Sequence, residues 1–350
     1  MPSSVRELLK QHAIEASAPC RIDSGGTWDI KAMALPMEGL QPTTVNIALN
    51  LRTRVLFSPF KTGWVRVSSE GFSGTQGFPF SNLPFNTSFG LFFAAISHFG
   101  FHGLQIHIIS ESPVKSALGG SSTALIALIK SLSKLTVLLG GKGLSPKEIL
   151  YLGYHLEDGI SGGYCGIQDQ ASAVFGGVNQ WRWTYGNQAF PFRRESLLDG
   201  KGQRELSDRL LLAYSGRSHV SARINRSWIN DFLSGKTRSG WIQANHIVLK
   251  LAQAIKGKDW DLAASLLREE MSIRKEITPN ALIPVTENLI DQAEGVGCGA
   301  RFAGAGAGGT VWALGEMDKI RELRELWNKT LAPHKGASIL NCAVDPMGVR

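Results

Sequence analysis

Cysteine is scarce here: four in 350 residues, Cys20, Cys165, Cys298 and Cys342, with no CxxC pair among them. That spacing excludes a zinc ribbon and a disulfide framework, and a chain of this length can build a core without covalent staples. A reducing compartment is therefore expected. Unbroken apolar runs are missing too. The opening MPSSVRELLKQHAIEAS sets Arg6, Glu7, Lys10 and His12 among its apolar positions, which excludes a secretory signal and predicts a short amphipathic helix. No stretch approaches the roughly 18–20 uncharged apolar residues of a membrane span, so the expectation is a cytoplasmic protein with no membrane partner. Basic runs are also absent. A net charge of +8 and a pI near 9.4 invite a nucleic-acid reading. The Lys and Arg residues are scattered, however, and a pocket for a polyanionic nucleotide would equally use a positive field. No nucleic-acid partner is expected.

What is present has room for two domains, because single cores stop growing beyond about 250–300 residues. TVNIALNLRTRVLFS (44–58) and LQIHIIS (104–110) read as strands around apolar helical runs. SPKEILYLGYHLE (145–157) predicts a helix with Ser145 as N-cap and Pro146 at its first position, leaving Glu157 at the C-terminal end. The polar, charged stretch at 193–208 precedes the buried-strand pattern LLLAYSG (210–216). We place the boundary near 205, giving domains 1–205 and 206–350. The second half ends in a glycine-rich loop, a strand TVWAL (310–314), a charged helix around 317–330 and a last strand near 337–344. Elements mixed in this way indicate an α+β architecture.

Four motifs are candidates for chemistry. In SALGGSSTALIALIKSL (116–132), Gly119, Gly120, Ser121 and Ser122 run directly into a helical segment, so unpaired N–H groups and the helix dipole would favour a phosphate there. An ordinary serine cap remains the alternative. In LEDGISGGYCGIQDQASAVFGGV (156–178), Asp169 could act as a general base and Glu157 could hold Mg²⁺, or both could be caps or surface acids. GARFAGAGAGGTVWAL (299–314) satisfies GxGxxG at Gly304, Gly306 and Gly309, but it runs into a strand late in the chain, whereas the dinucleotide fingerprint opens a helix early in a βαβ unit. The fourth, APCRIDSGGTWDI (18–30), sets Arg21 and Asp29 on either side of Gly25 and Gly26. Arg21 offers a charge partner and Asp29 two acceptors for sugar hydroxyls, against the default of a solvent-exposed pair.

Taken together and in this order, the four match one family. ALGGSSTA (117–124) resembles the GLGSSAA phosphate loop of the galactokinase/homoserine kinase/mevalonate kinase/phosphomevalonate kinase (GHMP) superfamily. CGIQDQ (165–170) resembles the galactokinase CGIMDQ segment, and GARFAGAGAGG resembles the family's closing glycine loop. The resemblance implies a two-domain GHMP kinase fold, with an N-terminal ATP-binding domain like ribosomal protein S5 domain 2 and a ferredoxin-like C-terminal domain. It implies ATP and Mg²⁺, with Asp169 as catalytic carboxylate, Arg21 as its electrostatic partner, and Glu157 and Ser122 as metal ligands. Gly119, Gly120 and Ser121 would donate to the ATP phosphates. Gly25, Gly26, Asp29, Gly304 and Gly306 would serve the substrate side.

RIDSGGTWD departs from the galactokinase pattern RVNLIGEHTDY by lacking its Glu-His pair. It resembles the RxDxxGGWSD of L-fucose kinases and the RxSxGGGGTD of D-glycero-D-manno-heptose 7-phosphate kinases, with one residue fewer between Arg21 and Asp29. LAYSGRSHVSARI (212–224) resembles the YTGxxRxSxxI of that branch, with His219 where Arg is frequent. The implied activity is transfer of the ATP γ-phosphate to a sugar hydroxyl, the anomeric one first, with a small-molecule sugar as partner and a monomer or homodimer as the assembly. A galactokinase, a mevalonate or homoserine kinase of the same fold, and a catalytically silent sugar-sensing homologue are the alternatives.

Overall fold

The computed structural model describes residues 5–70, 74–187, 191–218 and 221–350, with only the backbone described at 221–223. His219 lies outside the described residues. The strands, in chain order, are β1 (Ile14–Ser24), β2 (Thr43–Pro59), β3 (Trp64–Ser69), β4 (Thr75–Pro79), β5 (Leu104–Ser110), β6 (Val178–Trp183), β7 (Phe192–Ser196), β8 (Leu210–Tyr214), β9 (Gly299–Phe302), β10 (Thr310–Leu314) and β11 (Ser338–Leu340). The helices of the first half are α1 (Val5–Gln11), α2 (Lys31–Ala34), α3 (Gly90–Phe99), α4 (Gly120–Leu138), α5 (Pro146–Ile160) and α6 (Gln168–Phe175). Those of the second are α7 (Gly200–Ser207), α8 (Ser221–Leu233), α9 (Arg238–Gly257), α10 (Trp260–Ile277), α11 (Pro284–Gly295) and α12 (Met317–Leu331).

Strands β1 to β7 form one sheet organised around the long β2. One edge of β2 pairs antiparallel with β1 from Val45 to Phe57, with a register shift between Pro19 and Cys20. Pro19 has no N–H to give, which suits a break in the ladder. The other edge of β2 is shared, β6 taking Thr43–Ile47 and β5 taking Thr53–Pro59. Strands β8 to β11 form a second, antiparallel sheet in the order β11-β8-β10-β9. The strands and helices expected from sequence at 44–58, 104–110, 145–157, 210–216 and 310–314 are all present. The last strand is shorter than expected, at Ser338–Leu340. Residue 205 falls within α7.

Helix α5 begins on a full capping box: Ser145 Oγ accepts from Glu148 N and Glu148 Oε2 accepts from Ser145 N. Helix α4 corrects one expectation from sequence, since by length and composition it is apolar enough to cross a bilayer. Two-thirds of that apolar window is buried against the first sheet and helices α3 and α5. It is the spine of the first core.

A second apolar core joins the halves. Cys20, Ile22, Val45 and Ile47 from β1 and β2 pack against Val248, Leu251 and Ile255 of α9 and against Leu212 and Trp312 of the second sheet. A contact of that kind holds the two layers at a fixed angle and defines the cleft between them.

The C-terminal segment returns to the first sheet. Val344 bridges to Leu49, and Ser17 and Arg350 exchange backbone hydrogen bonds of 3.0 Å each, which covers part of the exposed edge of β1. Buried Arg52 is held there by Asp345 at 2.5 Å and by the carbonyls of Ser17, Met347 and Gly348. Arg52→Met removes one partner of a buried pair and orphans these acceptors. It should destabilise the protein by about 3 kcal/mol, read as a lower denaturation midpoint; a midpoint equal to wild type would show that the strap carries no stability.

Candidate active site

The cleft between the layers has a volume of about 400 Å³. Its floor is built by two segments of the first half that meet through one ion pair. Arg21 sits on β1, whose backbone N–H is fixed by the Leu118 carbonyl at 3.1 Å, and Asp169 sits in the first turn of α6. Arg21 Nε and Nη2 both lie 2.8 Å from Asp169 Oδ1, and Nη1 donates to the Ala117 carbonyl at 2.7 Å. Burial pulls the Arg21 guanidinium toward lower pKa, but the Asp169 and Asp23 carboxylates outweigh it and hold the group above its ordinary value. Asp169 keeps about a quarter of its side chain open to the cleft (23%), whereas Arg21 keeps 5%. A carboxylate gripped on one oxygen and open on the other is arranged to receive a proton.

Beside it begins α4. Its N-cap is Gly119, at φ 76°, and no side chain caps the helix. The sequence left open whether a serine or an anion satisfies this helix start, and the serine cap is not formed. The first-turn N–H groups point into the cleft with the positive end of the helix dipole. Gly119 cannot be another residue without intrusion, because a Cβ there would stand 3.2 Å from Asp169 Oδ2. Gly119, Gly120, Ser121 and Ser122 all line the cleft.

Glu157, near the end of α5, also faces the cleft. Its Oε2 accepts from Gln170 Nε2 at 2.6 Å and it is hydrogen-bonded to Ser122. Burial raises its carboxyl to about 7, the Ser122 hydrogen bond opposes this, and Asp169 adds to it. One carboxylate and one hydroxyl, both hard oxygen donors already in contact at a phosphate-ready helix start, fit Mg²⁺, a cation that keeps waters and phosphate oxygens in its remaining positions.

The substrate-side residues divide. Asp29 lines the cleft but is 2% exposed, and both of its oxygens already serve backbone donors, Thr27 N at 3.0 Å and Gln168 N at 3.0 Å. Its first task is to anchor the start of α6, and through it Asp169. Gly304 lines the cleft, and its N–H donates to Asp23 Oδ1 at 2.9 Å. Gly25, Gly26 and Gly306, expected at the substrate, do not line it. They pack tightly behind the wall, where a Cβ would meet the Thr43 carbonyl, the Asp23 carboxylate and the Ala281 carbonyl respectively. The closing loop does approach something closely, as its glycines suggested, and that neighbour is protein: a Cβ on Gly309 would stand 2.7 Å from the Ser116 carbonyl.

Several residues escaped the sequence reading. Asp23 is paired with Arg301 at 2.9 Å, and Arg301 with Glu270 at 2.9 Å, all with side chains fully buried at the Asp23–Arg301–Glu270 contacts. Asp23 stands two positions from Arg21 in the same motif, which was the available signal. The far end of the cleft is apolar, with Phe89, Phe92 and Ile108 beside Ser69 and Ser88, and the substrate side adds Thr27, Tyr164 and Asn225.

A family model described as the N-terminal domain of GHMP kinases matches residues 88–177, and one described as their C-terminal domain matches residues 251–332. The chain is 26% identical over 232 residues to a D-glycero-alpha-D-manno-heptose 7-phosphate kinase of Campylobacter jejuni, covering 63% of this chain and 65% of that protein. It is 24% identical over 229 residues to a mevalonate kinase of Pyrococcus horikoshii, covering 61% and 59%. The alignments thus span slightly less than two-thirds of these relatives' own length. The crystal structure of a D-glycero-D-manno-heptose 1-phosphate kinase from Bacteroides thetaiotaomicron superposes with a TM-score of 0.71 at 16% identity, over 97% of this chain and 98% of that one, a likeness of fold.

Burial raises the Asp29 carboxyl from 3.8 to about 7, the Gln168 N–H opposes this, and Asp169 adds to it. Between those two values the folded chain holds a proton that the unfolded chain has released, so the contribution of Asp29 to stability grows as pH falls through that window and is lost as pH rises toward 7. Asp29→Asn should flatten this component. Melting temperatures of both proteins from pH 8 to pH 5 check it, with parallel curves as the opposing result.

Proposed function

Since the chain belongs to the GHMP kinase superfamily, we propose that it is an ATP-dependent phosphotransferase whose acceptor is a sugar hydroxyl, the anomeric one first, of an L-fucose-like sugar or a heptose 7-phosphate. The observation that carries the reading is the Arg21–Asp169 pair at 2.8 Å, facing an uncapped helix start across one cleft. Asp169 accepts the proton of the acceptor hydroxyl, and the freed oxygen attacks the γ-phosphorus in line with the departing ADP. Arg21 orients Asp169 through its two contacts to one carboxylate oxygen. The amides of Gly119, Gly120 and Ser121 hold the phosphates, as phosphoryl transfer needs alignment and charge stabilisation above all. Glu157 and Ser122 would hold Mg²⁺, which neutralises phosphate charge when bound. The apolar end at Phe89, Phe92 and Ile108 suits a nucleobase, and the side lined by Thr27, Tyr164, Asn225 and Gly304 suits the acceptor.

The resemblance of RIDSGGTWD to the fucose and heptose branch favours a polyol. Similarity to a mevalonate kinase favours a second reading, a branched hydroxy acid as acceptor. Incubation with ATP and a panel of L-fucose, galactose, mannose, heptose 7-phosphate and mevalonate separates the two, and activity on mevalonate alone would overturn the sugar. Asp169→Asn should lower kcat by about 10²- to 10⁴-fold, the range of a lost general base, while ATP binding by calorimetry stays within about twofold. Near-normal turnover would remove Asp169 from its role.

A further inference from the structure

Among the described residues, six other than glycine have positive φ, and Thr27, at 85°, is the β-branched one. A β-branched side chain at positive φ crowds its own backbone and is a true outlier, and strained residues of this kind concentrate where function demands them. Two glycines precede Thr27, so the turn already has residues suited to that conformation, and a third would have relieved the strain. A threonine stands there instead. Its backbone is fully used, the N–H on Asp29 Oδ1 and the carbonyl accepting from Ile30 N at 3.0 Å. The hydroxyl, by contrast, makes no hydrogen bond among the described residues, although the residue is 7% exposed and that surface belongs to the cleft wall.

We infer that Thr27 is a specificity-determining residue for the acceptor, its strained backbone presenting the hydroxyl to a hydroxyl group of the bound polyol. The inference rests on the sugar-kinase reading above. Asp29 has both oxygens committed to backbone donors, so the wall needs another polar group to read the acceptor, and Thr27 is the adjacent one facing the same space. A site that hydrogen-bonds a substrate hydroxyl discriminates against acceptors that lack it, because its own polar group is then left unpaired.

The experiment compares wild type with Thr27→Val, Thr27→Ser and Thr27→Gly on the panel of L-fucose, galactose, mannose, heptose 7-phosphate and mevalonate, together with ATP KM and melting temperature. Thr27→Val keeps the shape and removes the hydroxyl. It should lower kcat/KM for the sugar turned over by wild type about five- to tenfold, the worth of one neutral hydrogen bond, with ATP KM unchanged, and Thr27→Ser should restore most of the loss. Thr27→Gly should lose the same activity yet melt at or above the wild-type temperature, because glycine accepts positive φ freely. Wild-type kcat/KM in Thr27→Val overturns the inference, and so does a fall of more than about 2 °C in Thr27→Gly. A wild-type protein active on no sugar overturns the sugar reading and this inference together, a result visible before any variant is made.

Discussion

A line of alternating charge runs through the interior and ties the two layers together: Asp169 on α6, Arg21 and Asp23 on β1, Arg301 on β9 and Glu270 on α10. Each member neutralises the next, and only Asp169 at one end has appreciable contact with the cleft. Burying this many ions is expensive unless each is paired and hydrogen-bonded. Burial pushes the Asp23 carboxyl up, yet Arg301 and Arg21 hold it below the usual carboxylate range. Because signs alternate, a shift of β9 or of α10 along its axis would set like charges together or leave one unpaired. The ladder therefore fixes the angle of the cleft as well as the orientation of the acid at its mouth.

Around this line the second half supplies a wall of aromatic rings. Arg274 of α10 lies 4.2 Å from the centroid of the Trp241 ring and 4.7 Å from that of Trp228. Its Nη1 donates to the Gly26 carbonyl at 3.3 Å, and Trp28 Nε1 donates to the Trp241 carbonyl at 3.1 Å. The turn that carries Thr27 and Asp29 is thus clamped from behind by the opposite layer. This explains how a strained backbone survives there: the surrounding packing over-determines it.

Much of the site was legible in the sequence, for a physical reason. Arg21, Asp169, Glu157, Ser122 and the glycines at 119 and 120 lie in short motifs whose local geometry is set by near neighbours, a helix start, a helix end and a turn. The α+β class and most elements followed from periodicity and caps. The glycines at 25, 26 and 306 were harder, because a glycine needed for close packing looks the same in sequence as one needed for a ligand, and only the neighbouring protein atoms distinguish them. Asp29 looked like a free acceptor because its partners are backbone groups, one of them 139 positions away. Arg301 and Glu270 gave no signal at all, since the partner of Arg301 on β1 is 278 positions distant.

The strap at 344–350 has a bearing on how the chain is made. Arg52 lies early, yet the acceptors it needs at Asp345, Met347 and Gly348 are 293 to 296 positions downstream. A nascent chain therefore carries most of the first sheet, with a guanidinium destined for the interior still short of these acceptors, until residues 345–348 have left the ribosome. The first sheet is thus completed by a segment that follows the second sheet's strands in the chain, so its closure around Arg52 waits for residues 345–348 to be made.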